Sequence, residues 1–446
     1  MSSVAVVGGG LAGCEAALQL ARLGISVDLF EMRPQQSTPA HSGDGLAQII
    51  CSNSLKSTAP TTASGVLKNE LESAGCSLLE IARQCAVPAG SALAVDRDQF
   101  SILVEKAIAE NHLITLIREE VKSISSLEHE HLIIATGPLS SEAMACEISK
   151  LTKLDGLHFF DAIAPTVTVE SLDLDILYRA ARYDKGDADY LNSAMDKETY
   201  HNFVQELNKA ERTEVKDFDK SDLFEGCKPV EEIAASGPET LAFGPMRPVG
   251  LSKGDKRPYA VVQLRQENQE GTLYGLVGFQ TRLKYGEQRR IFRMIPGLEN
   301  AEFVRLGQMH RNLYIDTPKT LTSSFALPDN PNIHFAGQIT GVEGYVESIT
   351  SGLITAWIVA AKLKGITLPS WPRETVIGSL LFAYLFDNTA KRLTPMNANF
   401  GIMPAIKGLP TGRRNRQERK EAMSARSVKS ASEFLELASV KALLAD

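Results

Sequence analysis

The chain has no C-x-x-C pair; its six cysteines, Cys14, Cys51, Cys76, Cys85, Cys146 and Cys227, are scattered singly. That argues against a zinc site and a thioredoxin-type redox pair, so no metal is expected. In a reducing compartment these are free thiols, most of them packing residues. Long apolar runs are missing too. Val376–Phe386, "VIGSLLFAYLF", is too short to span a membrane, which takes roughly 20 residues, so no membrane partner is expected. The opening "MSSVAVVGGG" shows no basic n-region or cleavage site, and a soluble cytoplasmic protein is expected. Glycine (33) and proline (20) are near average use, which argues against a fibrous or disordered chain. There is no internal repeat. Cations are outnumbered, 47 Lys and Arg to 54 Asp and Glu, and a net charge of −7 argues against bulk nucleic-acid affinity. What is present is length and core: 446 residues, 43% hydrophobic, enough for two or three domains.

Net charge hides patches. Lys407–Lys429, "KGLPTGRRNRQERKEAMSARSVK", holds eight Lys or Arg against Glu418 and Glu421. On composition alone a solvated helix explains it slightly better than phosphate binding.

"VAVVGGGLAGCEAALQLARLGISVDLFEMR" reads as a βαβ unit: a buried strand Val4–Val7, a helix Leu11–Leu23 and a second strand Ser26–Met32. Gly8, Gly10 and Gly13 form G-x-G-x-x-G where strand turns into helix. Gly8 permits the tight turn, Gly10 admits a pyrophosphate, and Gly13 lets the helix pack on the sheet. The first helical turn, Leu11 and Ala12, offers free N–H groups to the phosphates. Glu31 closes the second strand, where a carboxylate can accept from a ribose hydroxyl.

Two later segments favour FAD over NAD. "HLIIATGP" (His131–Pro138) is a buried strand ending at Thr136 and Gly137, a pattern that returns to the cofactor in flavoprotein dinucleotide domains. "NIHFAGQITGVEGYVES" (Asn332–Ser348) is a buried strand ending at Gly337, then a turn through Gln338, Gly341 and Gly344 into a helix Tyr345–Leu363. These pieces lie far apart, which predicts an α/β fold: a discontinuous Rossmann-like FAD-binding domain, 1–165 and 322–446, with an inserted α+β domain, 166–321. Within the insertion, Tyr259–Gln280 alternates like a hairpin with Glu270-Gly271 at its turn. Tyr178–Asp219 is polar, with helical spacing, and is expected at the surface.

With these residues in hand the chain resembles, over nearly its whole length, the TrmFO (Gid) family of folate- and FAD-dependent tRNA uracil-5-methyltransferases, related to the MnmG flavoproteins. The resemblance rests on "GGGLAGCEAA", "EMRP" (with Arg33), "CSNSLKS", "VPAGSALAVDRDQF", "DLFEGCKPVEE", "FGPMRPVGL", "GQITGVEGYVES" and "NANFGIMPA". It implies 5-methyluridine formation in the T-loop of tRNA. Methylenetetrahydrofolate would supply the carbon, and FAD with NAD(P)H the reducing equivalents. Uracil C5 becomes nucleophilic only when something adds at C6, which a thiolate does well. By resemblance Cys227 is that nucleophile and Cys51 a second active-site thiol, with the reverse also open. An ordinary thiol is a few per cent ionised at neutral pH, so a nearby cation is needed; Lys56 and Lys228 are candidates. Cys14, Cys76, Cys85 and Cys146 read as small buried hydrophobes. Asp96 and Glu343 are charged residues in the motifs, Arg97 could hold a carboxylate or a phosphate, and Tyr345 could cap the flavin ring or folate. An RNA substrate turns Arg413, Arg414, Arg416, Arg419 and Lys420 into the natural phosphate footprint. The alternatives are the same chemistry on ribosomal RNA, a flavin reductase of a small molecule, and a flavin-bearing RNA binder without catalysis.

Overall fold

The computed structural model describes residues 3–38, 40–41, 43–153, 157–182, 187–213, 228–251, 257–387, 393–409 and 415–445, and every structural statement concerns these. Strand β1 (Ser3–Val7) is fully apolar beyond its first residue, because both faces of the sheet around it are covered. It pairs in parallel with β2 (Ser26–Phe30) on one side and β4 (His131–Ile134) on the other. β3 (Ile114–Ile117) extends the sheet beyond β2, and β6 (Asn330–Phe335) extends it beyond β4, both parallel. The two-residue β5 (Ala326–Leu327) closes the edge antiparallel to β6. Strand order is therefore β5-β6-β4-β1-β2-β3. The carboxyl ends of β1, β4 and β6 meet on either side of the point where strand order reverses, the place where such sheets bind ligands.

Helix α1 (Leu11–Arg22) follows β1, buries Cys14, Ala16, Ala17 and Leu20 in the core and packs along α5 (Tyr345–Leu363). A Cβ on Gly352 would strike the Ala12 carbonyl, so this glycine allows the two helices to approach closely. α5 is long and apolar enough to cross a membrane by length and composition. It was not among the apolar runs that stood out in the sequence, yet 83% of its apolar window is buried inside the protein. The sheet's other face packs against α3 (Glu142–Thr152), which buries Met144 and Ile148. Cys146 falls between them on the opposite face and is exposed, which corrects its reading as a buried hydrophobe.

The two chain crossings out of this body pair as an antiparallel ribbon, Leu157–Ala162 with Met309–Tyr314. Beyond it lies a six-stranded sheet in the order Tyr178–Ala180, Tyr190–Met195, Ala260–Gln266, Leu273–Leu276, Thr166–Thr168, Phe303–Arg305. Its core gathers Tyr200, Phe203, Phe279 and Phe292. The expected hairpin forms, with Gln266 opposite Tyr274 and Gly271 in the turn at φ +67°. Tyr178–Asp219 departs from expectation. Tyr178–Ala180 and Tyr190–Met195 are strands, and α4 (Lys197–Lys209) is the α-helix among the described residues; 183–186 and 214–219 lie outside them. The polarity misleads because Asn192 is wholly buried and donates to the carbonyls of Tyr178, Ala180 and Tyr190, while Ser193 donates to Pro296.

Candidate functional site

The turn from β1 into α1 is built by what glycine lacks. Gly8 has φ +112°, and a Cβ there would come within 2.5 Å of the Ala135 carbonyl oxygen at the end of β4. A Cβ on Gly13 would overlap the Gly8 carbonyl, so this glycine sets how closely α1 sits over β1. Gly10 differs: nothing lies within 4 Å of its Cβ position, which faces open space. The N–H groups of Leu11 and Ala12 have no intrahelical acceptor, as at any helix start. The intervening Gly9, which the motif leaves unspecified, gives its N–H to Glu31 Oε2 at 2.9 Å. Glu31 Oε1 accepts from Arg33 Nε at 2.7 Å and Arg33 N at 3.0 Å. Burial alone would raise the Glu31 carboxyl; the Arg33 guanidinium and the two N–H donors outweigh it and hold the acid below its ordinary range.

Two clefts share Gly10, His41, Thr136 and Leu139 as a common wall and so form one elongated groove over the sheet's carboxyl edge. The first, about 550 Å³, is lined by Gly8, Glu31 and Arg33 and closed by Val121 and Met144. The second, about 790 Å³, is lined by Leu11, Ala12, Gly137, Gly337, Gln338 and Tyr345, and Cys51 stands at its wall. Gly13, Gly341 and Gly344 line neither; Gly341 (φ +87°) and Gly344 (φ +117°) shape the turn into α5. His41, Gln48, Ile50 and Asn312 also line the second cleft, and reasoning from motifs missed them. They come from loops and a connecting strand, where no glycine pattern marks them.

The Cys51 loop is clamped from three sides. The Tyr345 phenol oxygen accepts the N–H of Cys51 at 2.7 Å and of Ser52 at 3.1 Å, so Tyr345 holds the thiol's backbone while lining the cleft. Asn53, fully buried, donates to Val95 and Gln266 carbonyls and accepts from Arg265 Nε. The Ile50 carbonyl accepts from both Arg97 and Arg305, each at 3.0 Å. Arg97 is paired with Glu267 at 2.7 Å, which makes its role an ion pair. Burial and the Arg97 charge lower the Arg305 guanidinium to about 10, opposed by the Glu267 carboxylate. Held on the carbonyl of the residue before Cys51, Arg305 is a cation beside the thiol's loop, which the sequence did not single out. Lys56, the expected one, is turned to Glu347 at 2.8 Å.

The remaining assignments divide. Cys14 and Cys76 are buried thiols raised well above the ordinary range by desolvation, and Cys85 is pushed up to about 12 for the same reason, so all three are packing residues. Asp96 caps the helix that follows it, accepting from Asp98 and Gln99 N–H. Glu343 accepts from Gln338 Nε2 at 2.6 Å beside the cleft. Arg416, Arg419 and Lys420 fall on α6 (Arg416–Leu435) and line a third, open cleft. Cys227, Arg413 and Arg414 lie outside the described residues.

A parallel sheet, a glycine turn with open space over Gly10, an acid at the end of β2 and a groove that returns to β4 and β6 together define a dinucleotide-binding protein. The open space over Gly10 and the free first-turn amides fit a pyrophosphate, and Glu31 fits the adjoining ribose. The chain belongs to the family described as glucose inhibited division protein A, whose model matches residues 3–367. It is 50% identical over 436 residues to the methylenetetrahydrofolate–tRNA-(uracil-5-)-methyltransferase TrmFO of Desulfitobacterium hafniense, covering 97% of this chain and 98% of the relative. It is likewise 50% identical over 434 residues to the enzyme of the same name from Natranaerobius thermophilus. The GidA structure of Aquifex aeolicus superposes with a TM-score of 0.68 in each of two crystal forms. At 17% identity that likeness, covering 99% of this chain and 75% or 77% of the other, bears on the fold alone.

Proposed function

We infer that the protein is a methylenetetrahydrofolate–tRNA-(uracil-5-)-methyltransferase, carrying a one-carbon unit to C5 of a tRNA uridine, in the T-loop by the family resemblance. The observation that carries this reading is 50% identity along 97% of the chain to relatives of that name, with the groove built from the same quoted motifs. FAD is its cofactor, and when bound it supplies the redox chemistry, with NAD(P)H as the source of electrons. The proposed holders are Gly8, Gly10, Leu11, Ala12 and Gly13 for the pyrophosphate turn and Glu31 with Arg33 for the ribose end. Thr136, Gly137, Gly337, Gln338, Gly341, Gly344 and Tyr345 would bound the far end. There Cys51 sits half-buried with its loop held by Tyr345, which keeps a thiol at the groove wall.

Cys227 remains the proposed nucleophile. Its thiolate would add to uracil C6 and C5 would bond to the one-carbon unit. Loss of the C5 proton to a base, with departure of the carrier from that carbon, would leave an exocyclic methylene. A hydride drawn from NAD(P)H by way of the cofactor would add to that methylene as the thiolate leaves C6, giving the methyl group. The proposed domains are 1–165 with 322–446, and 166–321. The second core, which runs from Val167 to Ala301, supports the division, and packing of Leu313, Ile315 and Leu321 with the sheet core bears on where it ends. A cytoplasmic location accords with a tRNA substrate.

Purified protein, NADPH and methylenetetrahydrofolate labelled on its methylene carbon are incubated with unmodified tRNA transcript or with ribosomal RNA. Label in 5-methyluridine from tRNA is expected. Label only from ribosomal RNA moves the target, and no label in either, with NADPH still consumed, overturns the methyltransferase assignment.

A further inference from the structure

Lys56, Arg416, Arg419 and Lys420 meet at an open cleft that no acidic residue lines among the described residues, with the buried Glu347 carboxylate behind its wall holding Lys56 and the Ala398 N–H. In a chain with more acid than base that concentration of one sign is selective. Three of the cations fall at i, i+3 and i+4 on α6, hence on one face. The facing wall is the first turn of α2 (Ala63–Ser73), where Thr62 caps Gly65. The N–H groups of Ala63 and Ser64, also in the lining, have no acceptor among the described residues. Beneath that turn the buried Lys68 ammonium donates to the Ser57 and Ser64 carbonyls and adds to the positive field. Phe400, half-buried, also lines the cleft.

Lys56 stands between this cleft and the groove. It has φ +64°, a left-handed conformation rare outside glycine, and its ammonium holds Glu347. Glu347 lies two residues after Tyr345, whose hydroxyl anchors Cys51. The segment Cys51–Lys56 therefore connects the thiol to the basic cleft directly.

We propose that the cleft between α6 and the first turn of α2 seats backbone phosphates of the RNA substrate, with Lys56 tying that contact to the cysteine loop. This rests on the RNA methyltransferase reading and adds to its arginine footprint a second wall: the α2 amides, Lys56 and the "NANF" loop. Cations on one side and N–H donors on the other suit the phosphates of a nucleic-acid backbone.

Binding of fluorescent unmodified tRNA transcript to the flavin-loaded protein is followed by anisotropy across a salt series. Arg416→Ala/Lys420→Ala is expected to weaken binding about tenfold and to flatten the log–log salt dependence by roughly 1.5, near 0.7–0.9 for each phosphate no longer neutralised. Arg416→Lys/Lys420→Arg, which keeps the charges, should bind as the unaltered protein does. Ala63→Pro removes one amide donor at a helix position that accepts proline, after a residue already extended (Thr62 ψ 145°). It should weaken binding at least about tenfold with the flavin content unchanged, the loss of one hydrogen bond to a charged group, about 1.5 kcal/mol or more. If unaltered protein binds the transcript while these variants match it in affinity and salt slope, the cleft is not the phosphate seat. If unaltered protein binds neither tRNA nor ribosomal RNA, the RNA reading itself fails.

Discussion

Alanine at Gly10 and at Gly13 separates a glycine needed for the fold from one needed for the cofactor. At Gly13 the added methyl would come within 1.8 Å of the Gly8 carbonyl oxygen, in a residue whose N–H is tied to the Phe30 carbonyl at the end of β2. Helix α1 must lift, disturbing its packing on α5, and overpacking of this kind costs about 1–3 kcal/mol. For a body of this size that is roughly 3–10 °C in melting temperature. At Gly10 the methyl meets nothing within 4 Å and the residue sits at φ −81°, which alanine adopts freely. The folded apoprotein should lose under about 1 kcal/mol, the ordinary preference for glycine over alanine at a helix start. The same methyl projects where the pyrophosphate approaches, so flavin retention should fall at least about tenfold. Melting is followed by circular dichroism on apoprotein, since bound ligand would itself raise the transition, and flavin per chain is measured after denaturation. A Gly10→Ala protein that keeps its flavin as tightly as the original refutes the cradle. A Gly13→Ala apoprotein that melts unchanged refutes the packing argument.

Tyr345→Phe removes the acceptor shared by the Cys51 and Ser52 N–H groups. Because the loop is half-buried and water can reach it, a loss of about 1–2 kcal/mol is expected, seen as faster alkylation of Cys51 by iodoacetamide in a peptide map; an unchanged rate sinks the anchoring role. His334 is buried beside His131 and Lys362, donates from Nδ1 to the Ser324 carbonyl, and is lowered by desolvation to about 4. A lowered histidine stabilises the fold fully above its unfolded value near 6.5 and loses that contribution as pH falls toward 4, by up to about 3 kcal/mol. Urea midpoints at pH 7 and pH 5 should therefore converge in His334→Gln relative to the original protein, and equal pH slopes would contradict this.

Much of the groove was legible in the residues. G-x-G-x-x-G between an apolar strand and a helix leaves few other structures, because only glycine tolerates φ +112° at Gly8 and the approach at Gly13. Glu31, Thr136, Gly137 and Gly337 follow because strands in this sheet end at the same edge. Less could be read where polarity misled, as in Tyr190–Met195, or where a side chain is chosen by a distant partner. Asn53 looks like part of a reactive motif and is a clamp between two bodies of the protein. Arg305 lies more than 250 residues from Cys51, and nothing local to either predicts that Arg305 binds the Ile50 carbonyl next to it.

Local backbone demands and the order of apolar and glycine positions determined the βαβ start, the returning strands and the family, since each depends on residues close in the chain. Tertiary structure alone decided the direction of Lys56, the cations around Cys51, the exposure of Cys146 and the joining of α2, α6 and the "NANF" loop into one basic cleft. Those arrangements depend on which surfaces the packed sheet and helices bring together, and on where burial forces a charge to find a partner, neither of which is written in any single stretch of sequence.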